Sequence, residues 1–285
     1  MNNPKKDVIK FAEEFAYGFD PYKQEYRVLE LFEYQKKMLI NFEKNDHIII
    51  KQSRQVGIDM VAAIYTAYLL LKKVNKNVLV LSNKNDCAEN FLERVKKIIL
   101  YAGEIPVLNN KRNIKLKNGN RIYVSGASID SCRGFSPDLI YINNFEFIEH
   151  SRSVCECALP AVLSTGGQFI ISSMPKYKKE FFHELWINAT KKGNGFKPIN
   201  ISWKQNPNFS EEWYLEQCLR LGYNSDSIAT ELDGKFIERK DKKKKVAVNI
   251  RITKEKKDKI SARMKQKGIS SMTDYIMELI DKDLS

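Results

Sequence analysis

Ile48-Ile49-Ile50-Lys51-Gln52-Ser53-Arg54-Gln55-Val56-Gly57-Ile58-Asp59 passes from an apolar triplet, through a polar turn holding one glycine, into a second apolar segment. Three β-branched residues in a row predict a strand covered on both faces. Gly57 supplies the backbone freedom of a tight turn, and a helix is expected from Ile58 to Lys72. Strand, glycine turn and helix make the layout of a phosphate loop. Any strand–loop–helix with a glycine would qualify, so the flanks decide. A strand from His47 to Lys51 and the helix after it are followed by a strand from Asn77 to Ser82 and a helix from Asp86 to Tyr101. This alternation predicts a parallel sheet covered by helices. Asn118-Gly119, between Asn113–Leu116 and Arg121–Ser125, predicts a hairpin added to the sheet. Leu139 to Asn143 and Gln168 to Ser172 read as two more buried strands. The expected fold of the larger part is α/β.

Length and charge fit this picture. The 285 residues suggest a large domain plus a small one, and 48 Lys+Arg against 35 Asp+Glu give a net charge of +13. Such a balance favours a polyanionic partner, nucleic acid first and an anionic membrane surface second. Composition divides the chain into a lead-in over 1–45, the α/β region over 46–237, a charged linker over 238–245 and a small module over 246–285. Residues from Arg239 onward carry +8 of the net charge. Cys87, Cys132, Cys155, Cys157 and Cys218 are odd in number and form no zinc spacing, even with His150 near Cys155. A reduced, cytoplasmic protein is expected. No signal peptide and no membrane span is expected.

Further pieces lie in a telling order. Leu31-Phe32-Glu33-Tyr34-Gln35 is similar to an adenine-side motif, and Ser53-Arg54-Gln55-Val56-Gly57 to a phosphate loop. Cys132-Arg133-Gly134 precedes the apolar Leu139-Ile140-Tyr141-Ile142, as on the approach to a Walker B strand. Ile171-Ser172-Ser173-Met174-Pro175 is similar to a motif that couples hydrolysis to movement. Together, from about Leu31 to Ile237, they resemble the ATPase domain of the large terminase subunit of tailed phages, a P-loop NTPase fold.

The resemblance implies ATP and Mg²⁺ as ligands of Tyr34, Gln35, Lys51, Ser53, Arg54, Gln55, Gly57, Asp59, Asn143, Asn144 and Ser173. It also implies what hydrolysis would need: a lysine on the β- and γ-phosphates, a hydroxyl and an acid on Mg²⁺, and a carboxylate aligning water. Ile58 stands at the lysine position, Asp59 at that of Ser or Thr, and Asn143-Asn144 at that of Asp-Glu. Lys51 could substitute for the lysine, as in terminases that carry it upstream of the loop. Asp59 adds negative charge beside the phosphates, repulsive by several kcal/mol before screening, on the order of 4 at close range. Arg54 corresponds to the cis-acting arginine finger. Glu146 and Glu149 follow the strand closely and could in principle replace the lost acid, although a shifted carboxylate has the wrong reach. A vestigial site is expected, with no catalytic residue, no resident cofactor and no metal. Too few residues follow Ile237 for a terminase nuclease domain.

In the small module Val246, Val248, Ile250 and Ile252 alternate with Ala247, Asn249, Arg251 and Thr253, the period of a strand with one buried face. With no second strand nearby, it is expected to pair with the same strand of another copy. Thr253 can cap a helix from Lys254 to Lys267, Gly268 can end it, and Ser270 can cap a second helix from Ser271 to Lys282. Val248-Asn249-Ile250-Arg251-Ile252, Gly268-Ile269-Ser270 and Thr273-Asp274-Tyr275-Ile276 resemble the ribbon-helix-helix family of the Arc and MetJ type. That resemblance implies a homodimer whose ribbon enters the major groove of double-stranded DNA. Ala247, Asn249 and Arg251 would face the bases, Asn suiting adenine and Arg guanine, and Ser270 and Ser271 would hold a phosphate. Ala247 departs from this pattern because it cannot make such a bond. A plain amphipathic dimerisation tail is the alternative.

The expected protein is a phage or phage-satellite DNA binder, a repressor or a modulator of packaging, in the cytoplasm of the bacterial host. Two alternatives stay open: an ATP-driven motor subunit using Lys51 and a displaced acid, and a decoy that binds terminase subunits or procapsid.

Overall fold

The computed structural model describes residues 4–239, 253–269 and 271–283. The chain forms two compact units, Met1–Arg239 and Lys240–Ser285.

The first unit is built on an eight-stranded sheet. In chain order its strands are β3 (His47–Gln52), β4 (Asn77–Ser82), β5 (Leu108–Asn109), β6 (Asn113–Lys115), β7 (Arg121–Gly126), β8 (Leu139–Asn143), β9 (Gln168–Ser173) and β10 (Lys197–Ile201), after a separate antiparallel hairpin of β1 (Tyr17–Asp20) and β2 (Glu25–Val28). The sheet order is β10-β3-β9-β8-β4-β7-β6-β5. The first six run parallel, and β6 and β5 close the far edge antiparallel.

The apolar triplet explains why the sheet is covered twice. Ile48 and Ile50 enter one core while Ile49 enters the other, the period-2 alternation of a strand buried on both faces. Each such isoleucine contributes roughly 2 kcal/mol through burial. Val78 and Val80 of β4 likewise point one way, Leu79 and Leu81 the other. Helices α1 (Pro4–Phe15), α2 (Glu33–Lys44), α3 (Ile58–Lys72) and α4 (Asn85–Tyr101) supply residues to the first core. Helices α5 (Ser151–Leu163) and α6 (Phe181–Thr190) supply the second. Helix α3 is apolar almost all round, because it is buried almost all round. The unit continues through α7 (Glu211–Arg220) and α8 (Ser225–Ser227) into a π-helical turn, Ile228–Leu232.

Three expectations need correction. The 1–45 lead-in contains the β1–β2 hairpin besides its helices; Asp20 Oδ1 accepts bonds from the Tyr22 and Lys23 amides at 2.9 and 3.2 Å, fixing the turn. Strand β10 went unseen because Pro198 interrupts its pattern, and it is tolerated because β10 is an edge. The linker begins later than Glu238: Glu238 pairs with Lys178 at 3.0 Å and Arg239 with Glu180 at 2.7 Å, both within the first unit.

In the second unit, α9 (Lys254–Gln266) starts at Thr253, whose Oγ1 accepts from the Lys256 amide at 3.4 Å. Gly268 (φ 70°) ends it, and α10 (Met272–Asp283) follows. Met264 and Tyr275 are buried, whereas Met277, Leu279 and Ile280 are exposed by 42–49%. The ribbon strand, with Ala247, Asn249 and Arg251, and also Ser270, lie outside the described residues. Among the described residues no helix is long and apolar enough to cross a membrane.

Candidate functional site

The loop from Ser53 to Gly57 leaves the C-terminal end of β3 and turns into α3. Gln55 (φ 62°) and Gly57 (φ 75°) both take left-handed backbone. At Gly57 a Cβ would lie 2.8 Å from Gln35 Nε2, so glycine answers both the dihedral and the close approach. Tyr34 and Gln35 at the start of α2 are thus brought to the loop. The Tyr34 hydroxyl donates to the Val56 carbonyl at 2.7 Å, and burial raises its phenol well above the ordinary range. Gln35 Oε1 accepts from the Phe32 amide at 3.0 Å.

A cleft of about 850 Å³ opens on this side of the loop. Tyr17, Phe19, Tyr22 and Tyr26 of the hairpin line one wall, Gln55 to Gly57 another, and Arg94 and Lys97 of α4 a third. Its aromatic wall is held together: Tyr17 stacks on Tyr101 at 4.4 Å, and Lys97 Nζ donates to the Tyr26 hydroxyl at 2.6 Å. Aromatic rings beside cations suit a nucleobase and its phosphates.

On the other side the loop is occupied by its own chain. The Arg54 amide donates to the Glu231 carbonyl at 2.7 Å, and its guanidinium pairs with the Glu231 carboxylate at 3.1 Å. The Ser53 hydroxyl donates to the Leu232 carbonyl at 2.6 Å and accepts from the Trp203 amide at 3.2 Å. Lys51 Nζ donates to the Gly234 carbonyl at 2.5 Å and lies 5.3 Å over the Trp186 ring. Burial first, and Lys235 second, pull the Lys51 ammonium below its usual range. The Lys51, Ser53 and Arg54 of the sequence pattern therefore bind the segment from Glu231 to Gly234.

Asp59 occupies the first turn of α3 and points at the end of β8. Its Oδ1 accepts from the Tyr141 hydroxyl at 3.2 Å, and that hydroxyl lies 2.7 Å from Ser172 Oγ. Desolvation raises the Asp59 carboxyl, while Arg94, Tyr141 and Asn143 draw it down. Asn143 is 3% exposed, and its Oδ1 has no hydrogen-bond partner among the described residues. Asn144 (φ 54°) turns away, and its Nδ2 reaches Asn83 Oδ1 at 3.4 Å. Ser173 Oγ accepts from the Glu146 amide at 3.1 Å. Glu146 Oε1 accepts from the Tyr177 amide at 3.2 Å, and burial pushes its carboxyl up to about 7. Glu149 is exposed and lies 3.8 Å from His150.

β9 lies between β3 and β8, and its Ser172 stands in register with Ile50 on one side and Asn143 on the other. These donors do not make the usual magnesium–triphosphate set. The lysine position is Ile58, buried in the core, and Asn143 and Asn144 carry no charge. What the geometry retains is a cradle of backbone, an aromatic cleft and one carboxylate. Sequence reasoning missed Arg94, Tyr141 and the Glu231–Gly234 segment. Arg94 is one cation among several on an amphipathic helix, and backbone carbonyls leave no mark in a sequence.

A family model described as terminase large subunit, T4-like-virus type, N-terminal, matches residues 49–247. Among solved structures, the HK97 bacteriophage large terminase is similar with a TM-score of 0.65 at 16% identity, over 82% of this chain and 56% of that one. The large terminase of a thermophilic bacteriophage, in complex with ADP, gives 0.62 at 13% identity, over 73% and 54%. A point mutant of the Thermus phage P74-26 large terminase ATPase domain gives 0.60 at 17% identity, over 73% and 95%. The chain spans nearly all of that isolated ATPase domain and about half the length of the other two proteins. At these identities the likeness is one of fold.

Proposed function

The chain belongs to the T4-like-virus-type terminase large subunit family, in its N-terminal ATPase part, and from that premise we infer that it is a phage or phage-satellite DNA-binding protein that keeps the motor's fold without hydrolysing ATP. The observation that carries this reading is the fate of Lys51. Lys51 is bonded to the Gly234 carbonyl while apolar Ile58 fills the position from which an ammonium would reach the phosphates. Uncharged Asn143 and Asn144 leave no adjacent acid to align water, and Glu146 is engaged with the Tyr177 amide. Each missing group removes transition-state stabilisation that phosphoryl transfer requires.

DNA binding then falls to the second unit. The ribbon-helix-helix resemblance assigns base reading to Asn249 and Arg251, with Ala247 beside them making no such bond, and phosphate contacts to Ser270 and Ser271. One feature supports a dimer there and another a polyanionic partner. The α9–α10 pair leaves Met277, Leu279 and Ile280 exposed, apolar surface that a second copy would cover. The residues from Arg239 onward also concentrate positive charge. The action is repression of transcription or modulation of packaging.

The test is fluorescence anisotropy of the full chain against double-stranded DNA pools at several salt concentrations. Sequence-preferring binding that weakens with salt, and loses its preference in Arg251→Ala, is expected. Binding without preference, or unchanged in Arg251→Ala, would sink the reading. A terminase-interfering role would appear instead as co-purification with terminase subunits.

A further inference from the structure

The second face of the sheet is covered over only part of its width. Its core draws on β3, β4, β8 and β9 and reaches Tyr123 of β7, while among the described residues β5 and β6 supply nothing to it. Side chains alternate along a strand, so register settles which residues stand on the uncovered part. Ile114 and Ile122, opposite one another, enter the first core. Their neighbours Asn113, Lys115, Arg121 and Tyr123 therefore take the other face, with Leu108 of β5 opposite Lys115. Lys115 and Arg121 are exposed, Leu108 is 42% exposed and Tyr123 is half-buried. We propose that this open face binds an unpaired nucleic-acid strand, Tyr123 and Phe135 taking a base and Lys115 and Arg121 the phosphates beside it.

A cavity of about 250 Å³ marks the place for the base, bounded by Asn77, Asn113, Arg121, Tyr123, Phe135 and Pro137. It is smaller than the pockets that enclose drug-sized ligands, roughly 300–1,000 Å³, and suits one planar group. The Tyr123 and Phe135 rings lie 5.2 Å apart and tilted by 31°, which makes one wall aromatic. Asn113 carries a buried Oδ1 without a partner among the described residues, an acceptor for a base N–H. Arg121 Nε donates to Asn77 Oδ1 at 2.7 Å, which fixes the guanidinium at the rim and leaves its terminal amino groups for an anion.

Charge selects the partner. From Ile105 to Ile129 the chain carries Lys111, Arg112, Lys115, Lys117 and Arg121 and no Asp or Glu. Of these, among the described residues, Arg112 alone forms an ion pair, with Glu89 at 3.4 Å. Asp138, next to Pro137, is taken up by Lys76 Nζ and the Asn77 amide, both at 2.8 Å. A duplex keeps its bases stacked inside, whereas an unpaired strand offers a base face and a phosphate at every step, and aromatic rings on an open sheet flanked by cations hold such strands. The cavity lies at the starts of β4, β7 and β8, and the phosphate loop leaves the far end of the parallel sheet, after β3. The site is thus distinct from the nucleotide cleft, and it uses no residue of the second unit.

The test is fluorescence anisotropy of the full chain with a labelled oligo-dT of about 12 nucleotides, against an abasic strand of the same length and charge. The abasic strand should bind about tenfold more weakly, as when one stacked base is lost, and Tyr123→Leu should weaken oligo-dT by a similar factor. Lys115→Ala should weaken oligo-dT and lower the slope of its salt dependence by about one. Should Tyr123→Leu fail to fold, the abasic strand and the exposed Lys115 still decide. An oligo-U of equal length identifies the strand: tighter binding of oligo-U, lost in the same variants, makes it RNA, and tighter binding of oligo-dT makes it DNA. Equal binding of the abasic strand, or oligo-dT affinity unmoved by either variant, would assign the binding to the charged tail and overturn the proposal. Sequence-preferring duplex binding is measured on the same variants and should not change, so failure here leaves the reading of the second unit standing.

Discussion

Ser53→Ala tests whether the loop is bound by its own chain. Ser53 is fully buried, its hydroxyl donating to the Leu232 carbonyl at 2.6 Å and accepting from the Trp203 amide at 3.2 Å. The substitution removes both bonds and strands a carbonyl and an amide, each costing about 1–2 kcal/mol when left unmade in the interior. Because alanine leaves almost no cavity, packing adds little, and the sum is roughly 2–4 kcal/mol. In a unit of this size each kcal/mol moves the melting temperature by about 2–4 °C, so a fall of roughly 5–15 °C is expected. Thermal unfolding followed by tryptophan fluorescence reads it directly, since Trp203 stacks on Tyr214 at 4.8 Å and shares the lost bond. Were Ser53 instead held free for a phosphate, nucleotide-free stability would hardly change. A loss under about 0.5 kcal/mol, the level of an ordinary surface substitution, would refute the reasoning.

Other outcomes follow from the same contacts. Gly167→Ala should destabilise by about 1–3 kcal/mol or more in urea unfolding, since its Cβ would meet the Asp138 and Pro137 carbonyls at 2.7 and 2.8 Å, and backbone cannot step aside; a neutral effect would count against the packing described. Glu146 gives a pH signature. Its folded-state carboxyl titrates near 7 against an ordinary value of 4.5, so between those values the folded chain holds a proton that the unfolded chain has lost. Stability should therefore fall as pH rises from about 4.5 to about 7 and level off above. The side chain keeps some access to water, which limits the loss to about 1–2 kcal/mol. Glu146→Gln should flatten that part of the pH–stability curve, and an unchanged slope would show that the group is solvated.

Much of the parallel sheet was legible because burial on both faces writes itself as continuous apolar runs: Ile48-Ile49-Ile50, Val78 to Leu81, Leu139 to Ile142. Pro198 hid β10, and Gly18 and Asp20 broke the pattern of the N-terminal hairpin. At the site, the glycine turn announced the loop, and the fold gathers Tyr34, Gln35 and Gly57 within it. The partners of Lys51 and Ser53 were not legible. They are backbone carbonyls 183 and 179 positions away, and a carbonyl carries no residue identity. Asp59 was read as a charge facing phosphates, whereas the fold sets it against Tyr141. That pairing depends on the order of β3, β9 and β8, which the local pattern does not encode.

The most direct test of the account is steady-state ATP hydrolysis by the full chain with saturating ATP, Mg²⁺ and double-stranded DNA. The account predicts a rate indistinguishable from the protein-free control, in the wild-type chain and in Lys51→Ala alike. Turnover above that control which Lys51→Ala abolishes would contradict it and identify a working motor.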